Sequence, residues 1–256
     1  KIIENPNSNG KYKTVLVIIF EENNNNIEFK EVRMEEFSTH KLPKYAYKAG
    51  SPRGGDLTPT SKITKLNKTF KRIQLPLKKI YKEIKGKNGD EKYIKLIYES
   101  FKNEDIQNKI YNQLAEKDYQ DNAILTIALL DENNVLKYPG DFPLFVKKLK
   151  EKYEKEFYYK KSYNKAERES IGQNNICYLC DKKSKRTYGY VSTFKFYNLD
   201  KKGFTSGGFQ RGNSWKNYPV CPDCAFLLDQ GKKYLEKNLS SYFCGLNYFV
   251  LPKTIL

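Results

Sequence analysis

Histidine is nearly missing from this sequence. His40 is the single one in 256 residues. It sits in the polar segment STHK and reads as exposed surface, so a Ser–His or Cys–His nucleophile pair has no base to draw on. No GxxxxGK[ST] stretch is present, which excludes a P-loop. Carboxylates do not gather as a two-metal site requires. The triplets Glu28-Phe29-Lys30 and Glu83-Ile84-Lys85 look nuclease-like, but a chain rich in Glu and Lys produces them by chance. A protein that is not an enzyme is expected. Long apolar runs are also lacking. The longest, VLVIIF at Val15–Phe20, suits a buried strand and falls far short of the ~18 residues of a membrane span. With no membrane segment and no visible leader, a cytoplasmic protein is expected. The chain begins at Lys1 rather than Met and ends on LPKTIL, which reads as a piece of something longer.

Acidic residues are in short supply against basic ones. The chain has 30 Asp+Glu and 47 Lys+Arg, a formal charge of +17. A surface this positive attracts polyanions through counterion release, and nucleic acid is the usual partner. Abundant Lys, Asn, Ile and Tyr also fit a Lys-rich proteome. Aromatics make up 14% of residues, with 21 Tyr and 15 Phe. That is enough bulk for a packed core despite the 30% charged content.

The periodicity predicts an α+β fold. It consists of a mixed N-terminal domain with hairpins and helices, over 1–170, and an inserted four-cysteine zinc-ribbon-like module over 171–256. Val15–Phe20 and Ile27–Met34 read as a hairpin joined by a turn at Glu21–Asn26. The Gly/Pro/Ser/Thr loop SPRGGDLTPTSKIT follows, with Thr58-Pro59 and Thr60-Ser61 as caps for a helix over Lys62–Ile84 that Pro76 should break or kink. Glu91–Ala115 reads as one more helical stretch. AILTIALLDENNVLKYPG reads as a hairpin and DFPLFVKKLK as a helix opening at Asp141. AERESIGQNN reads as a polar connection. AFLLDQGKKYLEKNL reads as a short helix and Tyr248–Pro252 as a strand.

Four of the five cysteines form two CxxC pairs, Cys177/Cys180 and Cys221/Cys224, about forty residues apart. One CxxC turn offers two sulfurs to one ion, and two such turns complete a tetrahedral zinc site. Disulfides are disfavoured by the odd count and missing leader. A redox CxxC usually occurs once beside a βαβ unit, and iron–sulfur ligands cluster more tightly. Four thiolates leave no open coordination position, so the zinc is expected to be structural. Cys244 is left over and reads as a buried small residue.

Between Lys62 and Lys87 lie Lys62, Lys65, Lys68, Lys71, Arg72, Lys78, Lys79, Lys82, Lys85 and Lys87 against one acid, Glu83. On a helix Lys62, Lys65, Lys68 and Arg72 would share a face open to phosphates. In the preceding loop, Gly50, Gly54 and Gly55 would let a ligand approach the backbone. Arg53 would supply a donor fork, and Thr58, Thr60 and Ser61 would add hydroxyls near a helix N-terminus.

YAYKAGSPRGGDLTPTSKITKLNKTF and the stretch from CYLC through GGFQRGNSWKNYPVCPDC to AFLLDQGKKYLEKNLSSYF together resemble the large subunit of type I-B CRISPR Cascade complexes, the Csh-type CRISPR-associated proteins. The likeness runs from about Lys11 to the end and is weakest over Leu75–Lys137. It implies a non-catalytic subunit at the 5′ end of the crRNA that helps recognise the protospacer-adjacent motif in double-stranded target DNA and assists R-loop formation. Its implied partners are the crRNA, the target DNA, the other Cascade subunits and a helicase-nuclease recruited in trans. It also implies that this chain is an N-terminal portion of a longer protein, without that protein's first residues and its C-terminal helical region. The loop after Gly50 and the spacer Gln210–Trp215 are the candidate motif readers. Arg53, Lys62, Lys65, Lys68, Lys71, Arg72, Arg211 and Lys216 are the candidate nucleic-acid contacts. Three other readings remain: a stand-alone zinc-ribbon nucleic-acid binder, a cryptic metal-dependent nuclease, and a scaffold for an acidic protein.

Overall fold

The computed structural model describes residues 2–24, 26–50, 55–83, 89–119, 122–162, 164–194, 199, 203, 205 and 209–250. The fold is α+β. The chain divides into two units, Lys1–Glu151 and Lys152–Leu256.

The first unit runs β1 (Thr14–Asn23), β2 (Asn26–Glu36), α1 (Leu42–Tyr45), β3 (Thr60–Lys62), α2 (Leu66–Glu83), α3 (Asp90–Lys102), α4 (Glu104–Ala115), β4 (Ala123–Leu130) and β5 (Leu136–Lys137), then enters α5 (Pro143–Lys155). The strands form a mixed sheet in the order β2-β1-β4-β3, with β5 paired to β4. β1 runs parallel to β4, from Thr14 opposite Ala123 to Glu21 opposite Leu130. The other pairings are antiparallel.

β1 and β4 are apolar at successive positions because both faces of the sheet are covered. On one face Leu16, Ile18, Phe20, Leu125, Ile127 and Leu129 pack with α2, α3 and α4 through Phe70, Ile73, Leu77, Ile94, Phe101 and Ile110. On the other, Val15, Val17, Ile19, Ile124 and Ala128 pack with Tyr45 and Tyr138. Both tyrosine hydroxyls donate to the Glu35 carboxylate on β2 at 2.9 Å, and Lys41 completes the cluster at 2.8 Å.

Several sequence expectations change. Glu21 and Glu22 belong to β1, which continues to Asn23, and Asn26 already belongs to β2 opposite it. The stretch expected as one helix over Glu91–Ala115 is two helices. Asn103 adopts an extended backbone between them, and its side-chain oxygen accepts the Asp105 and Ile106 N–H groups at 2.9 and 3.3 Å, capping α4. Pro76 does not break α2, which continues to Glu83 with Pro76 buried. A proline deprives the carbonyl four residues back of its helical donor. Here that is the Arg72 carbonyl, which lies beside Gly55.

The second unit holds the last turn of α5, then β6 (Ile171–Ile176), β7 (Lys183–Tyr188), α6 (Pro222–Asn238), β8 (Ser240–Phe243) and β9 (Leu246–Phe249). The segment read as a polar connection contains β6, which pairs antiparallel with β7. Its alternation is too polar to reveal a strand. The expected Tyr248–Pro252 strand is the end of the β8–β9 hairpin, whose described part stops at Val250. Cys244 is exposed, not buried. It has φ +48° and forms the tip of that hairpin with Gly245 at φ +80°. Among the described residues, no helix is long and apolar enough to cross a membrane.

Candidate metal centre and basic surface

The first CxxC occupies the connection of the β6–β7 hairpin. The Cys177 N–H donates to the Lys182 carbonyl at 3.0 Å and the Asp181 N–H to the Cys177 carbonyl at 3.0 Å. Asp181 turns the chain with φ +54°. The second CxxC opens α6, with Cys221 as its N-cap, Pro222 in its first turn and Cys224 inside that turn. Proline suits this place because the first turn needs no N–H from it, and the positive helix end favours thiolates.

Tertiary contacts join the two turns. Tyr188 and Val220 exchange N–H···O bonds of 2.7 and 3.3 Å, and the Tyr178 N–H donates to the Pro219 carbonyl at 2.8 Å. The sulfurs of Cys177, Cys180, Cys221 and Cys224 consequently lie within 4.8 Å of one another. Those of Cys180 and Cys221 are 3.9 Å apart. A set this tight can hold a metal ion. Burial opposes charge on Cys177. The N–H groups of Cys221, Leu179 and Cys180 outweigh it and bring that thiol down to about 7. The Cys221 N–H reaches its sulfur at 3.3 Å. Burial and the surrounding sulfurs push the Cys224 thiol up.

The spacer between the CxxC pairs is bound to its neighbours through Ser170, which is fully buried. Its hydroxyl donates to the Gly212 carbonyl at 2.9 Å and accepts the Trp215 N–H at 3.0 Å. Gly189 makes this approach possible, since a Cβ there would lie 2.2 Å from both the Ser170 oxygen and the Trp215 nitrogen. Gly189→Ala is expected to overpack the site and destabilise the Lys152–Leu256 unit by about 1–3 kcal/mol. A melting curve matching that of the parent would show that the Trp215 segment can move aside.

The basic residues do not form the single helical face the sequence suggested. Lys62 lies on β3, and its ammonium sits 4.8 Å from the Tyr12 ring centre and 5.8 Å from that of Tyr47. Lys65 precedes α2 and is exposed. Lys68 and Lys71 are exposed on α2, as are Lys78, Lys79 and Lys82. Arg72 turns inward and grips Asp56 through two bonds of 2.7 and 3.2 Å. Arg53 and Gly54 lie outside the described residues. Arg211 and Lys216 end a 3-10 segment in the second unit, with Lys216 exposed and 5.6 Å from the Trp215 ring.

These positions fall within two matched segments of one protein family. The family model for the N-terminal domain of CRISPR-associated protein TM1802 matches residues 1–152, and that for its central domain matches residues 174–256. The chain belongs to the CRISPR-associated TM1802 family. No curated protein and no solved structure matches it.

In this TM1802-family chain the threonine-rich loop is built differently from a phosphate cradle. Thr58, Thr60 and Ser61 are fully buried. Thr58 donates to the Ala46 carbonyl at 3.0 Å and Thr60 to the Tyr45 carbonyl at 2.7 Å. Ser61 donates to Asp56. These residues do not cap α2, because Thr60–Lys62 pairs with β4 as β3. The glycines serve self-contact: a Cβ on Gly50 would lie 2.0 Å from the Gly55 carbonyl oxygen, and one on Gly55 would lie 2.6 Å from Leu75. The sequence reading overlooked Asp56. Its carboxylate, 3% exposed, takes the Gly50 N–H at 3.0 Å besides Arg72 and Ser61. A lone acid among Arg, Gly and hydroxyl residues was the available signal.

Proposed function

We propose that this chain belongs to the non-catalytic large subunit of a type I-B Cascade surveillance complex. In that role it contributes to crRNA and target-DNA binding, protospacer-adjacent motif recognition and R-loop formation. Membership of a CRISPR-associated family across both matched segments carries the reading. The +17 charge supports a polyanionic partner. The division of labour fits guide-directed recognition, in which base pairing reads sequence while protein reads a short motif and backbone shape. Cleavage is assigned to a helicase-nuclease recruited in trans. Incubation of the purified chain with DNA and Mg²⁺ or Mn²⁺ should yield no cleavage. Products would revive the cryptic nuclease.

The metal is proposed to be one structural Zn²⁺ held by Cys177, Cys180, Cys221 and Cys224. Zn–S bonds of about 2.3 Å in a tetrahedron place sulfurs about 3.8 Å apart, close to the 3.9 Å between Cys180 and Cys221. Four thiolates fill the coordination sphere, so the ion braces the fold and takes no substrate.

The deciding experiment is recovery of the tagged protein from its own cells with sequencing of bound RNA. Partner subunits with repeat-derived small RNAs are expected. A lone protein with mixed nucleic acid would leave a stand-alone zinc-ribbon binder as the better account. Within this reading the exposed Lys68 and Lys71 are backbone contacts. The double substitution Lys68→Glu and Lys71→Glu should flatten the plot of log affinity against log salt by roughly two phosphate contacts, with little change in melting. An unchanged slope would remove α2 from the interface.

A further inference from the structure

The second unit carries a basic, aromatic cavity outside all the contacts assigned above. Tyr159, Lys161, Ser162 and Arg168 line a space of about 490 Å³, within the range of ligand clefts, about 300–1,000 Å³. No acidic side chain is among the described residues that line it.

The walls are set by a closed turn. The Lys160 N–H donates to the Arg168 carbonyl at 2.9 Å and the Ser170 N–H to the Tyr158 carbonyl at 2.9 Å, so the chain returns beside itself. Asn164 caps the short 3-10 segment at the far end by accepting the Ala166 N–H at 3.1 Å. Arg168 spends its Nε on the Ser162 carbonyl at 2.9 Å, which holds the guanidinium across the turn. Among the described residues no acceptor takes its terminal nitrogens, which have the fork geometry that suits a phosphate. Lys161 is exposed beside it. The Lys155 ammonium stands 4.2 Å from the centre of the Tyr159 ring, adding positive charge at the aromatic wall.

An aromatic ring beside cations is the combination that receives an unstacked nucleotide, with the base against the ring and the phosphate on the cations. A duplex offers phosphates but no free base face. We infer that the cavity bordered by Tyr159, Lys161 and Arg168 holds one nucleotide of a single-stranded nucleic acid. The inference rests on the proposed function, in which both a guide RNA and an opened DNA strand are at hand, and it adds a site in the Lys152–Leu256 unit.

Fluorescence anisotropy of the whole chain with a labelled single-stranded RNA, the same sequence as DNA, and the DNA duplex tests it. Tyr159→Ala should weaken single-strand binding by at least about fivefold, the lower end of a lost stacking contact, and leave duplex binding unchanged. Tyr159→Phe keeps the ring and should bind as the parent does. Lys161→Glu alters an exposed side chain that the fold does not need, and it should weaken single strands and reduce their salt slope. Stronger loss for RNA would identify the guide as the occupant, and stronger loss for DNA the displaced strand; either sustains the site. Parental single-strand affinity in Tyr159→Ala and Lys161→Glu overturns it, as does equal loss for duplex and single strand. In those cases the proposed function still stands on its cellular test. Single-strand binding through Tyr159 by a protein that carries no small RNA in its cells would instead retain the cavity and overturn the proposed function.

Discussion

Cys221→Ser is expected to abolish metal binding and unfold the Lys152–Leu256 unit while the Lys1–Glu151 unit stays folded. Cys221 has three tasks at once. Its sulfur belongs to the four-cysteine set, its backbone N–H donates to Cys177, and its backbone opens α6. Serine retains the backbone roles, so the substitution isolates the loss of one thiolate. A structural zinc contributes on the order of 10 kcal/mol to its module, comparable with the whole stability of a domain, about 5–15 kcal/mol. Few large apolar side chains are buried among the described residues of this unit, so burial offers little to offset the loss. Metal analysis should fall from one zinc per chain to none. Hydrogen exchange should speed up over β6, β7 and the start of α6, while β1 and β4 remain protected. Chelation of the parent should reproduce the pattern. A variant that loses its metal but keeps both melting and protection would assign the stability of the module to the Ser170 and Tyr188 contacts instead.

Asp56→Ala should destabilise the Lys1–Glu151 unit by about 2–3 kcal/mol, or roughly 5–10 °C in Tm for a unit of this size. The aspartate is nearly inaccessible and receives Arg72, Ser61 and the Gly50 N–H. Removing it strands the Arg72 charge together with the Ser61 hydroxyl and the Gly50 N–H. Arg72 is 35% exposed, and water can recover part of its solvation, which keeps the expected loss below that of a fully buried pair. Arg72→Ala should cost less than Asp56→Ala, and a double-mutant cycle should show strong coupling. Urea melts would measure all three. If Arg72→Ala weakened nucleic-acid binding without lowering stability, Arg72 would return to the list of ligand contacts and the Asp56 clamp would lose its structural role.

The sequence reveals a residue's periodicity far better than its partner. Val15–Phe20, Ile27–Met34, the apolar spacing of α2 and the proline that opens α5 are local signals, and each element forms near its expected place. The two CxxC pairs are legible for a similar reason, since each turn presents its sulfurs through local geometry. The expected α2 face is broken at both ends: the helical wheel began at Lys62, which β4 recruits with Thr60 and Ser61 as a strand partner, and Arg72 closes on Asp56. A helix start at Lys62 would have offered the hydroxyls of Thr58, Thr60 and Ser61 to a ligand. They face carbonyl and carboxylate groups of their own unit, because a buried hydroxyl left unsatisfied would be costly.

By itself the sequence determined an α+β chain with a buried hairpin strand, a four-thiolate set, a strongly basic surface and a CRISPR-associated likeness. Those properties follow from residue type, local spacing and summed charge. Tertiary structure alone decided that β4 lies parallel to β1, that Arg72 closes on Asp56 rather than facing outward, that Ser170, just before β6, holds Gly212 and Trp215 of the spacer, and that Cys244 sits exposed at a hairpin tip. Each depends on which distant groups meet in space. Hydrogen-bond satisfaction and close backbone contact select among such meetings, and neither leaves a period in the sequence.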